Sequence, residues 1–208
     1  MPPVKNEDLH GNVPDSEDVV LLIIDMISDF EFKDSDKLFE FVPEVAKRIA
    51  DLKRSARKAG VPVLYINDNF GKWQSDLSKL VEHCLQEPVR GRPVVEILLP
   101  EEDDYFVLKP KHSGFFSTTL EVLLTYLKAK TLVLTGVAGN ICILFTASDA
   151  YMRDYNLVVP PDCVASNTRE LNNQALESLE TILGAHLIAS TELDWERLKQ
   201  EFSEATEK

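Results

Sequence analysis

Leu132-Val133-Leu134-Thr135-Gly136-Val137, then Ala138-Gly139-Asn140-Ile141-Cys142, then Ile143-Leu144-Phe145-Thr146-Ala147-Ser148-Asp149-Ala150-Tyr151 read as a buried strand, a turn carrying a cysteine, and a helix. An unbroken apolar strand is what a parallel sheet covered on both faces requires. The helix is apolar nearly all round and is expected to be largely buried. A cysteine where a strand passes into a helix sits at the positive end of the helix dipole. That position favours the thiolate, the form that attacks carbonyl carbon.

The same alternation extends in both directions. Val19 to Ile24 is a second continuous apolar run. Val42, Val45, Ala46, Ile49, Leu52 and Ala56 recur at helical spacing, with Pro43 near the start and Gly60 at the end. Val61 to Ile66 and Phe106 to Leu108 are the next strands, and Thr118 with Glu121 forms a capping box for a helix through Lys128. Leu157 to Val159, closed by Pro160-Pro161, is a fifth strand, and Asn167 with Glu170 caps a helix to Leu183. Ala185 to Ala189 is a short last strand, and a terminal helix starts near Glu192. Strand and helix alternating in this way imply an α/β fold, a doubly wound parallel sheet with helices on both faces. Residues 69–100 fit the rhythm poorly and are expected to form loops and one helix around Leu77 to Leu85 that partly cover the site. Residues 1–18 are polar, contain three prolines and read as a loose arm, which leaves 19–208 as a single domain.

A chain of 208 residues is long enough to bury a proper core. The formal charge of −13 argues against nucleic acid or an anionic membrane as partner and is read as serving solubility. No apolar run approaches the ~20 residues of a membrane span, and no signal peptide is visible. Cys84, Cys142 and Cys163 are odd in number and lack CxxC spacing, so a disulfide framework is not expected and a cytoplasmic location is.

Three reactive side chains fall at strand ends, where open parallel sheets bind their ligands. Cys142 is the candidate nucleophile. A buried structural role is the commoner fate of cysteine, and Cys84 and Cys163 are assigned to it. Asp25 ends the Val19–Ile24 strand and is the candidate base; behind six apolar residues its pKa should tend upward. Lys109 follows the Phe106–Leu108 strand and is the cation that holds the carboxylate and favours thiolate. Backbone amides of the 136–141 turn are placed to bind an oxyanion, although glycines there equally suit a plain turn. No GxGxxG follows the first strand and no GxSxG occurs, which argues against dinucleotide binding and against a serine hydrolase of the α/β-hydrolase type.

Four motifs in order resemble the isochorismatase-like cysteine hydrolases, relatives of nicotinamidases and N-carbamoylsarcosine amidohydrolase. They are Asp25-Met26-Ile27-Ser28-Asp29-Phe30, Lys109-Pro110-Lys111-His112-Ser113-Gly114-Phe115, Thr135-Gly136-Val137-Ala138-Gly139-Asn140-Ile141-Cys142 and Thr146-Ala147-Ser148-Asp149-Ala150. The resemblance covers roughly Val19 to Ser190. It implies a six-stranded, Rossmann-like three-layer α/β/α fold with strand order 3-2-1-4-5-6 and a catalytic triad of Asp25, Lys109 and Cys142. It also implies a cis peptide between Val137 and Ala138, with the amides of Ala138 and Cys142 as oxyanion donors, and a homo-oligomer, dimer or tetramer. Two departures stand out. Many members carry glutamine where this chain has Ile27, and nicotinamidases place an Asp-x-His metal motif where it has Asn67-Asp68-Asn69-Phe70, so no metal or other cofactor is expected. The cysteine itself points away from vinyl-ether hydrolysis and toward C–N bonds of amides and ureides.

Phe30, Phe70, Trp73 and Phe115 lie near strand ends or on the covering loop and would suit a small, flat, largely uncharged amide or ureide, oriented by Asn69 and His112. Phe115 is as easily a packing residue. Two other classes remain: a catalytically retired member serving as a binding or assembly scaffold, and a redox-sensing cysteine, the latter disfavoured because no resolving cysteine is near.

Overall fold

Val19–Ile24 forms β1, and its alternating side chains divide the interior in two. Val19, Leu21 and Ile23 face one helical layer; Val20, Leu22 and Ile24 face the other. The computed structural model describes residues 17–71 and 76–201. After β1 come α1 (Ser35–Phe39), α2 (Val42–Lys58), β2 (Val63–Asp68), α3 (Leu77–Gln86), α4 (Arg92–Ile97), β3 (Tyr105–Lys109) and α5 (Leu120–Leu127). The second half holds β4 (Thr131–Val137), α6 (Leu144–Tyr151), β5 (Asn156–Val158), β6 (Val164–Ala165), α7 (Arg169–Thr181) and α8 (Trp195–Glu201). Helices α1 to α4 and α8 cover one face of the sheet, and α5 to α7 cover the other.

The strands are parallel in the order β3-β2-β1-β4-β5. The position beyond β5 is held by a single bridge, Val158 to His186, in place of a strand over Ala185 to Ala189. A two-residue strand that the sequence reading lacked, β6, pairs instead with the end of β4. β5 stops after Val158, opposite Val133, so the last residues of β4 have an open edge that β6 fills.

Several boundaries move for identifiable reasons. β2 begins after Pro62 and runs on through Asn67 and Asp68, because both pair with β3. The Thr118 capping box does not form: the Thr118 hydroxyl donates to Gly114 O and accepts the Leu120 N–H, while Glu121 pairs with Arg153 at 3.0 Å. Thr168, not Asn167, caps α7, accepting the Leu171 N–H at 3.1 Å. The described part of residues 69–100 contains two helices, α3 and α4, both packed into the core beneath the sheet. α6 is buried on one side only, with Phe145 and Tyr151 exposed.

Gly136 sets how closely β1 and β4 approach. Its φ is +112°, and a Cβ there would lie 2.0 Å from Ile24 O. Both the backbone angle and the contact exclude a larger residue. Gly136→Ala is expected to lose roughly 2–4 kcal/mol of stability, read as a lower denaturation midpoint with an unchanged m-value; an unaltered midpoint would show that the strands can separate freely here.

Candidate active site

The register of the central strands assembles the site. Ile24 lies opposite both Ile66 and Gly136, and Asp68 lies opposite Lys109. β1, β2, β3 and β4 therefore deliver their last residues to one place. Asp25 leaves β1 in a left-handed conformation, φ 54°, with its N–H bonded to Ile66 O at 2.8 Å. Its Oδ1 accepts the Asp68 N–H at 2.7 Å, and its Oδ2 lies 2.8 Å from Lys109 Nζ. Lys109 is the last residue of β3 rather than the residue after it, and its side chain is 0% exposed. Its Nζ also reaches Cys142 Sγ at 3.5 Å and Asp68 Oδ2 at 3.6 Å.

Cys142 is carried on a widened turn, Gly139–Ile143, in which the Ile143 N–H bonds Ala138 O at 3.2 Å. The Val137–Ala138 peptide is cis. Cys142 is 9% exposed, and α6 begins only at Leu144. Burial, and then the adjacent Asp25 carboxylate, push the thiol up to about 12, against the opposing pull of Lys109. Desolvation and the neighbouring negative charge oppose the thiolate that the helix-start position was expected to favour. Burial also raises Asp25 above its ordinary 3.8, against Lys109 and its hydrogen bonds. Burial alone would lower Lys109, but Asp25 and Cys142 outweigh it and hold the ammonium above its ordinary value.

Asp25, Asp68 and Cys142 line a cavity of about 470 Å³, and the fully buried Lys109 does not reach it. Its wall includes Ser28, Phe30, Phe32, Lys33, Phe70 and His112, with Ala138 beside the cysteine. Cys84 and Cys163 are buried elsewhere, and burial lifts them to about 11 and about 12.

The isochorismatase-domain family model matches residues 19–192. The chain belongs to the isochorismatase family. An uncharacterized isochorismatase family protein of Bacillus subtilis (strain 168), YaaI, is 42% identical over 176 residues, 85% of this chain and 96% of that protein. Ureidoacrylate amidohydrolase RutB of Methylorubrum extorquens is 27% identical over 196 residues, 82% of this chain and 79% of that protein. The solved structure of N-carbamoylsarcosine amidase from Thermoplasma acidophilum superposes with a TM-score of 0.65 at 24% identity, over 85% of this chain and 98% of that one. At that identity the likeness speaks to the fold alone.

Within this isochorismatase-family site, the residues expected around the substrate divide. Phe30, Phe70 and His112 line the cavity, and His112 packs at a tilt against Phe145 with ring centroids 5.6 Å apart. Phe115 does not: it is buried in the core against Tyr155, with the Arg153 guanidinium 4.8 Å from its ring centroid. Asn69 is absent from the wall; its Oδ1 accepts the Gly71 N–H at 2.9 Å in a local turn. Trp73 lies outside the described residues. Of the described part of the 69–100 segment, only Phe70 reaches the cavity; α3 and α4 do not cover it. Ser28, Phe32, Lys33, Asp34 and Asn167 were missed. For Ser28, Phe32, Lys33 and Asp34 the signal was positional, since the loop after a central strand must pass over that strand's carboxyl end; Asn167 follows β6 and had no such signal.

After β2 a single carboxylate, Asp68, faces the site, and it is engaged by Lys109 and by the Phe70 N–H at 2.6 Å. Among the described residues no group of three or more His, Cys, Asp or Glu side chains is placed to hold a metal ion. These residues do not fit the metal motif of nicotinamidases. No helix among the described residues is long and apolar enough to cross a membrane.

Proposed function

We propose that this chain is a cysteine hydrolase that cleaves the C–N bond of a small amide or ureide through a thioester. The observation that carries the reading is the buried chain of contacts from Asp25 through Lys109 Nζ (2.8 Å) to Cys142 Sγ (3.5 Å) on the cavity floor. A thiol beside a carboxylate whose pKa burial raises is a proton donor beside an acceptor. Asp25 takes the thiol proton as Sγ attacks the carbonyl carbon. The amides of Ala138 and Cys142 receive the oxyanion. Asp25 passes the proton to the departing nitrogen, and the C–N bond breaks. Asp25 then deprotonates a water that attacks the thioester, and returns that proton to Sγ as the acid leaves. Lys109 stays protonated throughout and compensates the charge that moves between Asp25 and Sγ.

The wall of Phe30, Phe32, Phe70 and His112 suits a flat acyl group, and the named amidohydrolase relatives agree with a C–N bond as the target. The test is a screen of small amides and ureas for ammonia or amine release, run with and without a chelator, with intact mass spectrometry to trap an adduct on Cys142. A mass increase lost in Cys142→Ala, with turnover unaffected by chelation, is the expected result. An unlabelled Cys142 across the screen would favour a retired member acting as a scaffold.

We propose further that the protein works in the cytoplasm as a dimer or tetramer. Exposed Val122 and Tyr126 on α5, and Phe145, Tyr151 and Met152 on and after α6, support an association surface. A strictly monomeric mass by light scattering would exclude it.

A further inference from the structure

The short strand β6 and the first turns of α7 hold polar groups that the proposed chemistry does not use. Ser166, 1% exposed, follows β6 directly. Its Oγ accepts the Asn140 N–H at 3.1 Å and donates to Asn172 Oδ1 at 3.1 Å. Asn172 Nδ2 donates in turn to Val164 O at 3.2 Å. Each donor in this relay meets an acceptor, and the relay closes back on β6. The contact is tight. A Cβ on Gly139 would fall 2.7 Å from Asn172 Oδ1, 2.8 Å from Val164 Cγ1 and 2.9 Å from Ser166 Oγ. The turn that carries Cys142 is therefore pressed onto Ser166 and Asn172 with no side chain between.

The pairing of β6 gives this contact its register. Gly136 lies opposite Val164 and Val137 opposite Ala165, so Ser166 comes to rest against the chain just past the end of β4. The backbone between the two oxyanion donors is then fixed from two sides. Ser166 takes the Asn140 amide, and Ala138 O takes the Ile141 and Ile143 amides at 3.0 and 3.2 Å. We infer that Ser166 and Asn172 are positioning residues that clamp the 138–142 turn so that the Ala138 and Cys142 amides point together at the reacting carbonyl oxygen. The inference rests on the hydrolase reading above. It adds that the alignment of the oxyanion donors is set from β6 and α7, outside the cavity. Displacements of about 1 Å at such donors cost on the order of 10²-fold in rate.

Two reactions of Cys142 separate the clamp from the nucleophile. Alkylation by iodoacetamide forms the S–C bond as iodide leaves, with the thiol proton passing to Asp25, and develops no oxyanion. Acylation by p-nitrophenyl acetate forms a thioester through an oxyanion and releases p-nitrophenolate. Both are followed on the full-length protein, by intact mass and by the nitrophenolate burst. In Ser166→Ala the acylation rate is expected to fall about 10- to 100-fold while alkylation stays within about twofold. Ser166→Thr, which keeps the hydroxyl, should recover most of the loss, and Asn172→Leu should reproduce part of it. An unchanged ratio of acylation to alkylation in Ser166→Ala overturns the clamp. So does an equal fall in both rates alongside a lower melting temperature, the mark of a merely structural serine. A wild-type protein that alkylates but never acylates overturns the hydrolase reading instead.

Discussion

Asp25→Asn is expected to lower kcat/KM by roughly 10²–10⁴-fold while leaving the fold intact. Asparagine keeps an oxygen able to accept the Asp68 N–H, now held at 2.7 Å, so the end of β1 stays anchored. What it removes is the acceptor for the Cys142 proton. The pH dependence makes the result specific. In the wild type the competent form holds one proton on the Asp25–Cys142 pair, so activity is lost when Asp25 takes a second proton from solvent. Because burial raises Asp25, that acid limb lies above the ordinary 3.8 of the group. The alkaline limit belongs to the thiol, which is pushed up to about 12. Activity should therefore fall as pH drops through the raised pKa of Asp25. In Asp25→Asn the acid limb disappears. The thiol also loses the carboxylate that helped raise its pKa, so residual activity should climb with pH from a lower threshold. Retention of activity within tenfold, or an acid limb identical to the wild type, would remove Asp25 from the role of base.

Why Asp25 could be found in the sequence, and much of its surroundings could not, follows from the range over which each signal acts. β1 and β4 are continuous apolar runs, and burial on both faces of a sheet writes itself directly into such runs. The ends of those runs were therefore locatable, with Asp25 directly after β1 and Cys142 on the Gly139–Ile143 turn that follows β4. β6 has two residues and no pattern of its own. It exists because β4 outruns β5, which is a fact of the assembled sheet. The Ser166–Asn172 relay inherits that invisibility, since it links the turn at 140 to residues 26 or more positions later. Buried charge was invisible for a related reason. The Asp104 side chain, in the run Glu101 to Asp104, is buried, 2.6 Å from Lys53 Nζ and 2.7 Å from Arg57 Nη1. Lys53 in turn donates to Tyr65 Oη at 3.1 Å. A pairing across some fifty residues has no local signature. α6 shows the converse. Its composition reads as buried, but among the described residues α5 and α7 are the helices that share its face of the sheet, and Phe145 and Tyr151 are left outside.

Lys109→Met tests the other half of the site. Methionine keeps much of the aliphatic stem volume and removes the ammonium. Asp25 then keeps its burial and loses the group 2.8 Å away that opposed it. Its pKa must rise further, so at neutral pH a larger share of the carboxyl is protonated and unable to accept the thiol proton. The acid limb of kcat/KM should move to higher pH than in the wild type, and activity at neutral pH should fall by roughly 10²-fold or more. Stability should follow the same titration. A carboxyl whose folded pKa exceeds its unfolded value favours the native state below the unfolded value, and that advantage is lost as pH rises through the folded pKa. The variant should therefore be destabilised by about 3–5 kcal/mol at neutral pH, where the buried charge is uncompensated, and should recover part of the difference in mild acid. The wild type, in which Lys109 opposes the burial that raises Asp25, should show a smaller recovery over the same window. Melting curves of both proteins across that window decide the matter. A wild-type-to-variant gap independent of pH, with the acid limb unmoved, would mean that Lys109 fills space beside Asp25 without governing its charge.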